Sequence, residues 1–167
     1  DSTNIYRSQV IRFYSKNYDP KQDYYKDLLR AKKYFSTDEK FYYELYLTHS
    51  CLSRFYLKKQ FYNQALSECY LAKKSLTTFH DKYLGEILGV NLTMANIFTK
   101  QKKFEEASSM LNDVKILFIG INTQLYSTTS LNYFKAEYYN NLAILDLDQK
   151  KKSHVLDHLH NALYHIR

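Results

Sequence analysis

The sequence predicts an all-α chain organised as an array of antiparallel helical hairpins, and three observations carry that expectation. The 167 residues include 3 Gly and 1 Pro, where average usage would supply roughly twelve and eight. Sandwiches and barrels need frequent turn residues and Rossmann-type phosphate sites need a glycine-rich loop, so this scarcity excludes most of both. Hydrophobic residues make up 45% of the chain, enough to fill a core, which sets disorder aside. A local pattern also recurs. Leu57-Lys58-Lys59-Gln60-Phe61-Tyr62-Asn63-Gln64-Ala65 and Phe98-Thr99-Lys100-Gln101-Lys102-Lys103-Phe104-Glu105-Glu106-Ala107 each run from a helix end through a polar turn to an aromatic, two polar residues and an alanine. Such self-similarity marks a repeat architecture.

The elements follow in chain order. A faint first unit spans Ile5 to Phe35 and ends on Leu28 and Ala31. Within it, Asp19-Pro20-Lys21-Gln22 offers an N-cap acceptor, a proline at the first helical position and a capping-box glutamine ahead of a helix over Tyr24 to Phe35. Ser36-Thr37-Asp38-Glu39 supplies a second capping box before a helix over Phe41 to Lys59. Ala65 and Ala72, seven apart, set the buried face of the helix after the turn. Gly85 and Gly89 sit at or inside the next helix start, where a missing side chain permits close packing. A helix from Lys103 to about Phe118 is expected to stop by placing Gly120 in the left-handed region. Val114 to Thr129 reads either as a helix end plus loop or as an irregular unit. Tyr139, Leu142 and Ala143 open a last hairpin that closes with Val155, Leu159 and Ala162. The closing small residues Ala31, Ala72, Val114 and Ala162 are spaced 41, 42 and 48 residues apart, the drift of a degenerate solenoid.

This pattern, a Leu and a small residue in the first helix with an aromatic one turn on, then aromatic-x-x-Ala and a small residue seven later, resembles the tetratricopeptide repeat. The resemblance covers Tyr46 to Arg167, with Ile5 to Phe35 matching faintly. It implies about four hairpins wound as a right-handed superhelix in a single domain over residues 1–167. The chain departs from the repeat in placing Gln60 and Lys102 where the turn glycine belongs and in its longer period. Long, degenerate hairpins in a Lys-, Asn- and Tyr-rich chain are further similar to the C-terminal sensor domains of the peptide-pheromone regulators of Gram-positive bacteria, the Rgg, PlcR, PrgX and Rap group. That likeness implies a quorum-sensing transcriptional regulator whose DNA contacts come only from an N-terminal domain missing from this fragment. The alternatives are a constitutive protein-protein interaction scaffold and an anti-activator that binds a response regulator.

In repeats of this kind the first helices line a concave groove. The alignment places Leu47, Ser50, Arg54, Leu57 and Lys58 there in one unit, Gly89, Leu92, Asn96, Thr99 and Lys100 in the next, and Glu137, Asn140, Asn141, Ile144 and Leu147 in the last, with Ser50, Arg54, Lys58, Asn96, Lys100, Asn140 and Asn141 as the peptide-binding candidates. An asparagine amide both donates and accepts, so it can bond the main chain of an extended peptide, and Arg54 and Lys58 can hold a carboxylate. The expected partner is therefore a short peptide or protein tail, with a homodimer as a further possibility. The net charge of +7 is spread over Lys32-Lys33, Lys58-Lys59, Lys73-Lys74, Lys102-Lys103 and Lys150 to Lys152 rather than gathered in one stripe, so direct nucleic-acid binding is not expected.

No catalytic motif is present: there is no Gly-x-Ser-x-Gly, no phosphate loop and no Cys with an evident His partner. No enzyme activity and no cofactor are expected. His154 and His158 lie four apart, with Asp157 between them and His165 seven beyond, but neither cysteine nor glutamate joins them at motif spacing, so no metal set is assigned. Asn91-Leu92-Thr93 matches a glycosylation acceptor in what reads as mid-helix. Cys51 and Cys69, 18 residues apart in apolar context, read as buried free thiols. With no signal segment and no apolar run long enough to span a bilayer, a cytoplasmic location without membrane contact is expected.

Overall fold

The computed structural model describes residues 2–14, 24–121 and 127–166. Every regular element among them is helical, and they group into two compact units, Asp1–His80 and Asp81–Arg167. The Asp19-Pro20-Lys21-Gln22 box lies outside the described residues.

The first unit holds α1 (Ser2–Tyr14), α2 (Tyr24–Phe35), α3 (Tyr42–Lys58) and α4 (Tyr62–Ser75). Helix α3 packs against each of the other three. Its core is drawn from one face of each helix: Val10 and Phe13, then Leu28, Ala31 and Phe35, then Leu52 and Cys51, then Ala65, Cys69 and Ala72, all buried. Aromatic rings fill the space where larger aliphatic side chains would otherwise sit. Phe35 meets Phe41 with centroids 5.3 Å apart, and Tyr25 stacks on Phe55 at 4.7 Å. Such offset and edge contacts add to the area the rings bury.

The boundary between α2 and α3 differs from the capping box expected at Ser36. The Ser36 hydroxyl donates back to the Lys32 carbonyl at 2.7 Å and that of Thr37 to Tyr34 at 2.7 Å, so both finish α2. Asp38 takes the cap instead, accepting from the Lys40 amide at 3.0 Å at the head of a 3-10 turn, Glu39–Phe41, that leads into α3. A serine at the end of a helix can satisfy the last carbonyls, and here that bond wins over an N-cap role.

The second unit holds α5 (Leu84–Lys100), α6 (Phe104–Gly120), α7 (Thr128–Asp148) and α8 (Lys152–Ile166). Helix α5 packs on α6 and α7, and α7 on α8. Ile87, Leu88, Met94, Ala95 and Ile97 of α5 are buried against Ala107, Leu111 and Val114 of α6 and against Ala136, Ala143 and Leu145 of α7. The buried hydroxyls of Thr48 on α3 and Thr99 on α5 are satisfied within their own helices, Thr48 donating to Glu44 and Thr99 to Ala95 four residues back. Gly120 is the last residue of α6 and has a negative φ, so the left-handed stop expected there does not form; the chain leaves through Ile121 in extended conformation. Ser127 caps α7 by accepting from the Ser130 amide at 3.1 Å.

Three hairpins share one turn. Gln60, Lys102 and Lys150 are the non-glycine residues with positive φ among those described, at 62°, 61° and 61°. At each, two backbone bonds close the preceding helix in the same way. Phe61 N–H reaches Tyr56 O at 2.9 Å and Gln60 N–H reaches Leu57 O at 3.0 Å. Lys103 with Phe98 (2.9 Å) and Lys102 with Thr99 (2.9 Å) repeat the pair, as do Lys151 with Asp146 (2.7 Å) and Lys150 with Leu147 (3.0 Å). This is the Schellman closure, in which the left-handed residue is usually glycine. The repeat at Gln60 and Lys102 thus has a physical identity, and Lys150 joins it. The small residues that close the units, Ala31, Ala72, Val114 and Ala162, are all buried.

Candidate functional site

The seven sequence-predicted residues take up different roles in the two units. In the first unit Arg54 and Lys58 line a small cavity, about 70 Å³, with Phe13, Tyr24, Leu28, Cys51 and Phe55. Arg54 is held within the fold: its guanidinium lies 4.7 Å from the centre of the Tyr14 ring, its Nε donates to Ser50 O at 3.3 Å, and a terminal nitrogen meets Cys51 Sγ at 3.8 Å. The Ser50 hydroxyl is buried with no hydrogen-bond partner among the described residues.

In the second unit Lys100 is exposed, and Asn96 is half-buried with its Oδ1 buried and without a hydrogen-bond partner among the described residues. The two final asparagines separate. Asn140 is exposed, whereas Asn141 is buried and donates through Nδ2 to Glu137 O of its own helix at 2.9 Å. Consecutive helical residues project about 100° apart, which gives the two asparagines different surroundings. Asn91 of the glycosylation-like triplet is 1% exposed in the middle of α5, where no glycan could be accommodated.

The larger open space belongs to the last hairpin. Tyr133, Ala136, Glu137 and Asn140 of α7 and Leu159, Ala162, Leu163 and Ile166 of α8 line a groove with about 410 Å³ of room. The hairpin register makes it. Ala136 and Ala162 are small where the helices face each other, and leucines and an isoleucine flank them. Leu159, Leu163 and Ile166, at helical spacing on one face of α8, are 39%, 59% and 70% exposed. Leaving an aliphatic side chain in water forgoes about 1.5–3 kcal/mol each, and an apolar face of this kind on a folded surface marks a place for a partner. Glu137 and Asn140 supply the polar edge. Of the positions the alignment turned to a groove, Glu137 and Asn140 line this one; on its apolar side the pattern read Leu159 and Ala162 as hairpin-closing positions and left Leu163 and Ile166 unread.

Two side-chain clusters bring together partners that the sequence does not pair, although the His154–His158 spacing of the second is legible there. The first ties three helices of the first unit together: Glu68 of α4 accepts from His49 Nδ1 of α3 at 2.6 Å and from Lys32 Nζ of α2 at 2.8 Å, with His49 and Glu68 both buried. Burial pushes the Glu68 carboxyl up, but the bonds from His49 and Lys32 and their charges outweigh it and hold the group below its ordinary range. This is an internal ion-pair lock. In the second unit the turn at Lys150 brings Asp146 of α7 against His158 of α8, with Oδ2 and Nε2 3.2 Å apart, and His154 beside them. For the second cluster the signal was available once the left-handed turn at Lys150 was placed. Residues at similar distances before and after a hairpin turn face each other, as Asp146 and His154 do about Lys150.

The two cysteines are buried free thiols. Desolvation raises Cys51 to about 11 and Cys69 to about 12, despite contacts from Arg54 and Ser53 that act the other way. Such thiols are poor nucleophiles at neutral pH. No described helix is long and apolar enough to cross a membrane. Compared with known families, curated proteins and solved structures, the chain matches none.

Proposed function

We propose that this chain is a helical-hairpin repeat module that binds a partner polypeptide, and that the α7–α8 groove receives the partner's apolar side chains. The observation that supports this most is the groove itself: about 410 Å³ of open, leucine- and alanine-lined room, edged by Glu137 and Asn140. Repeat modules offer extended helical surfaces to their partners, and a helix or extended segment with aliphatic anchors is the ligand such a groove fits. The Asn140 amide and the Glu137 carboxylate can hold the partner's main-chain amides and fix its direction. In the tetratricopeptide-like reading the hairpins continue as a right-handed superhelix. The partner is then a short signalling peptide or protein tail, as in the peptide-sensing regulators that the repeat style resembles.

The test is selection from a displayed library of random peptides against the folded chain, followed by fluorescence anisotropy on the strongest binder. Selected peptides should share aliphatic residues at regular spacing. Leu163→Asp should weaken binding by a factor of 10 or more, roughly the cost of one lost aliphatic anchor, while leaving the helical content unchanged because Leu163 is 59% exposed. Failure to select any peptide, or equal affinity for Leu163→Asp, would overturn the proposal.

A further inference from the structure

We propose that Asp146, His154 and His158 form a binding site for a divalent transition-metal ion of the zinc, nickel or copper type. Their ligand atoms, one carboxylate oxygen and two imidazole nitrogens, all lie within 4.8 Å of one another. In a tetrahedral site with bonds of about 2.1 Å the ligand atoms are roughly 3.4 Å apart. Asp146 Oδ2 and His158 Nε2 are already at 3.2 Å. Closing the remaining distance is a side-chain adjustment, and His154 is exposed and able to make it.

The arrangement follows from two features of the backbone. His154 and His158 are one turn apart on α8 and so share a face. The left-handed turn at Lys150 then folds Asp146 onto that face. Stacking of His158 on the Tyr139 ring, with centroids 6.2 Å apart and planes at 26°, orients the imidazole before any ion arrives. Two imidazoles and one carboxylate suit borderline transition metals and are a poor set for magnesium or calcium, which prefer all-oxygen shells. Water completes the coordination, since the site lies at the surface. A bound ion would join α7 to α8, and the inference stands independently of the proposed function because it needs no polypeptide ligand.

The experiment is calorimetric titration of the tag-free, EDTA-washed chain with Zn²⁺, with Mg²⁺ as the comparison ion. One equivalent of Zn²⁺ should bind and the thermal midpoint should rise with it, while Mg²⁺ gives neither effect. His154→Ala and Asp146→Asn should each lower Zn²⁺ affinity by a factor of 10 or more, and His160→Ala, an exposed histidine of the same helix outside the cluster, should leave it unchanged. His154 is exposed, so its variant keeps the fold, and circular dichroism of the metal-free forms verifies this. Zn²⁺ binding by His154→Ala that equals the parent chain, or a loss in His160→Ala of the same size, would overturn the assignment.

Discussion

Replacing the left-handed turn residues by glycine should stabilise the chain, and the structure sets the size of the gain. Gln60 and Lys150 hold φ at 62° and 61°, a conformation that costs a residue with a Cβ about 1–2 kcal/mol. Glycine removes that cost but loses about 0.4–1 kcal/mol through the greater freedom of the unfolded chain. Gln60→Gly and Lys150→Gly should therefore each gain about 0.5–1 kcal/mol, and their effects should add because they lie in different compact units. Lys102→Gly should gain less. Its Nζ pairs with Asp148 at 3.0 Å, and removing a mostly exposed ion pair gives back part of the benefit. The assay is thermal and urea unfolding followed at 222 nm, with a rise of about 2–4 °C per kcal/mol for a chain of this size. The control is Lys59→Gly, one position earlier, where φ is −85°; glycine relieves nothing there and should lower the midpoint. A fall in stability for Gln60→Gly and Lys150→Gly, or a gain for Lys59→Gly, would show that the left-handed residues carry no such strain.

Further outcomes are open to direct measurement. Gly89→Ala should stabilise α5 by about 0.5–1 kcal/mol in urea unfolding, because a Cβ there would meet Phe134 Cε1 at an ordinary 3.6 Å. Glu68→Gln should cost about 1–3 kcal/mol by weakening the buried bonds to His49 and Lys32. The Glu68 carboxyl is lowered from its ordinary 4.5 in the folded chain. The stability it supplies is thus complete above about pH 4.5 and disappears as pH falls through the lower folded value. The acid slope of the urea midpoint should accordingly be shallower in Glu68→Gln than in the parent. Cys51 and Cys69 should react with a thiol-specific disulfide reagent at pH 7.5 only on the timescale of unfolding, and at once in denaturant, since both are buried with raised pKa values.

The sequence carried most of the helix map because that map rests on short-range rules. The helix over Tyr24 to Phe35 forms as read, and the helix expected over Phe41 to Lys59 appears as Tyr42–Lys58. Departures arise where two local rules compete. Ser36 could cap the next helix or close the previous one, and Gly120 could end its helix from inside or from the left-handed position beyond. Lys150 went unrecognised because it stands in a run of lysines that reads as solvated charge, although it repeats the turn of Gln60 and Lys102. The candidate site was less legible for a different reason. Placing Asn140 and Asn141 together ignored the angle between neighbouring helical residues, and one of them is buried. The α7–α8 groove is lined by leucines and alanines that look like core in a sequence. Which of them lack a covering partner depends on tertiary packing alone.

Binding of a polypeptide in the α7–α8 groove can be located residue by residue by chemical-shift mapping. The peptide obtained by selection would be titrated into the ¹⁵N-labelled chain and the perturbed amides assigned. Perturbations should concentrate at Tyr133, Ala136, Asn140, Leu159 and Leu163. Perturbations centred on Ser50, Arg54 and Lys58, or on Asn96 and Lys100, would contradict it and return the site to the first-helix positions that the repeat alignment had singled out.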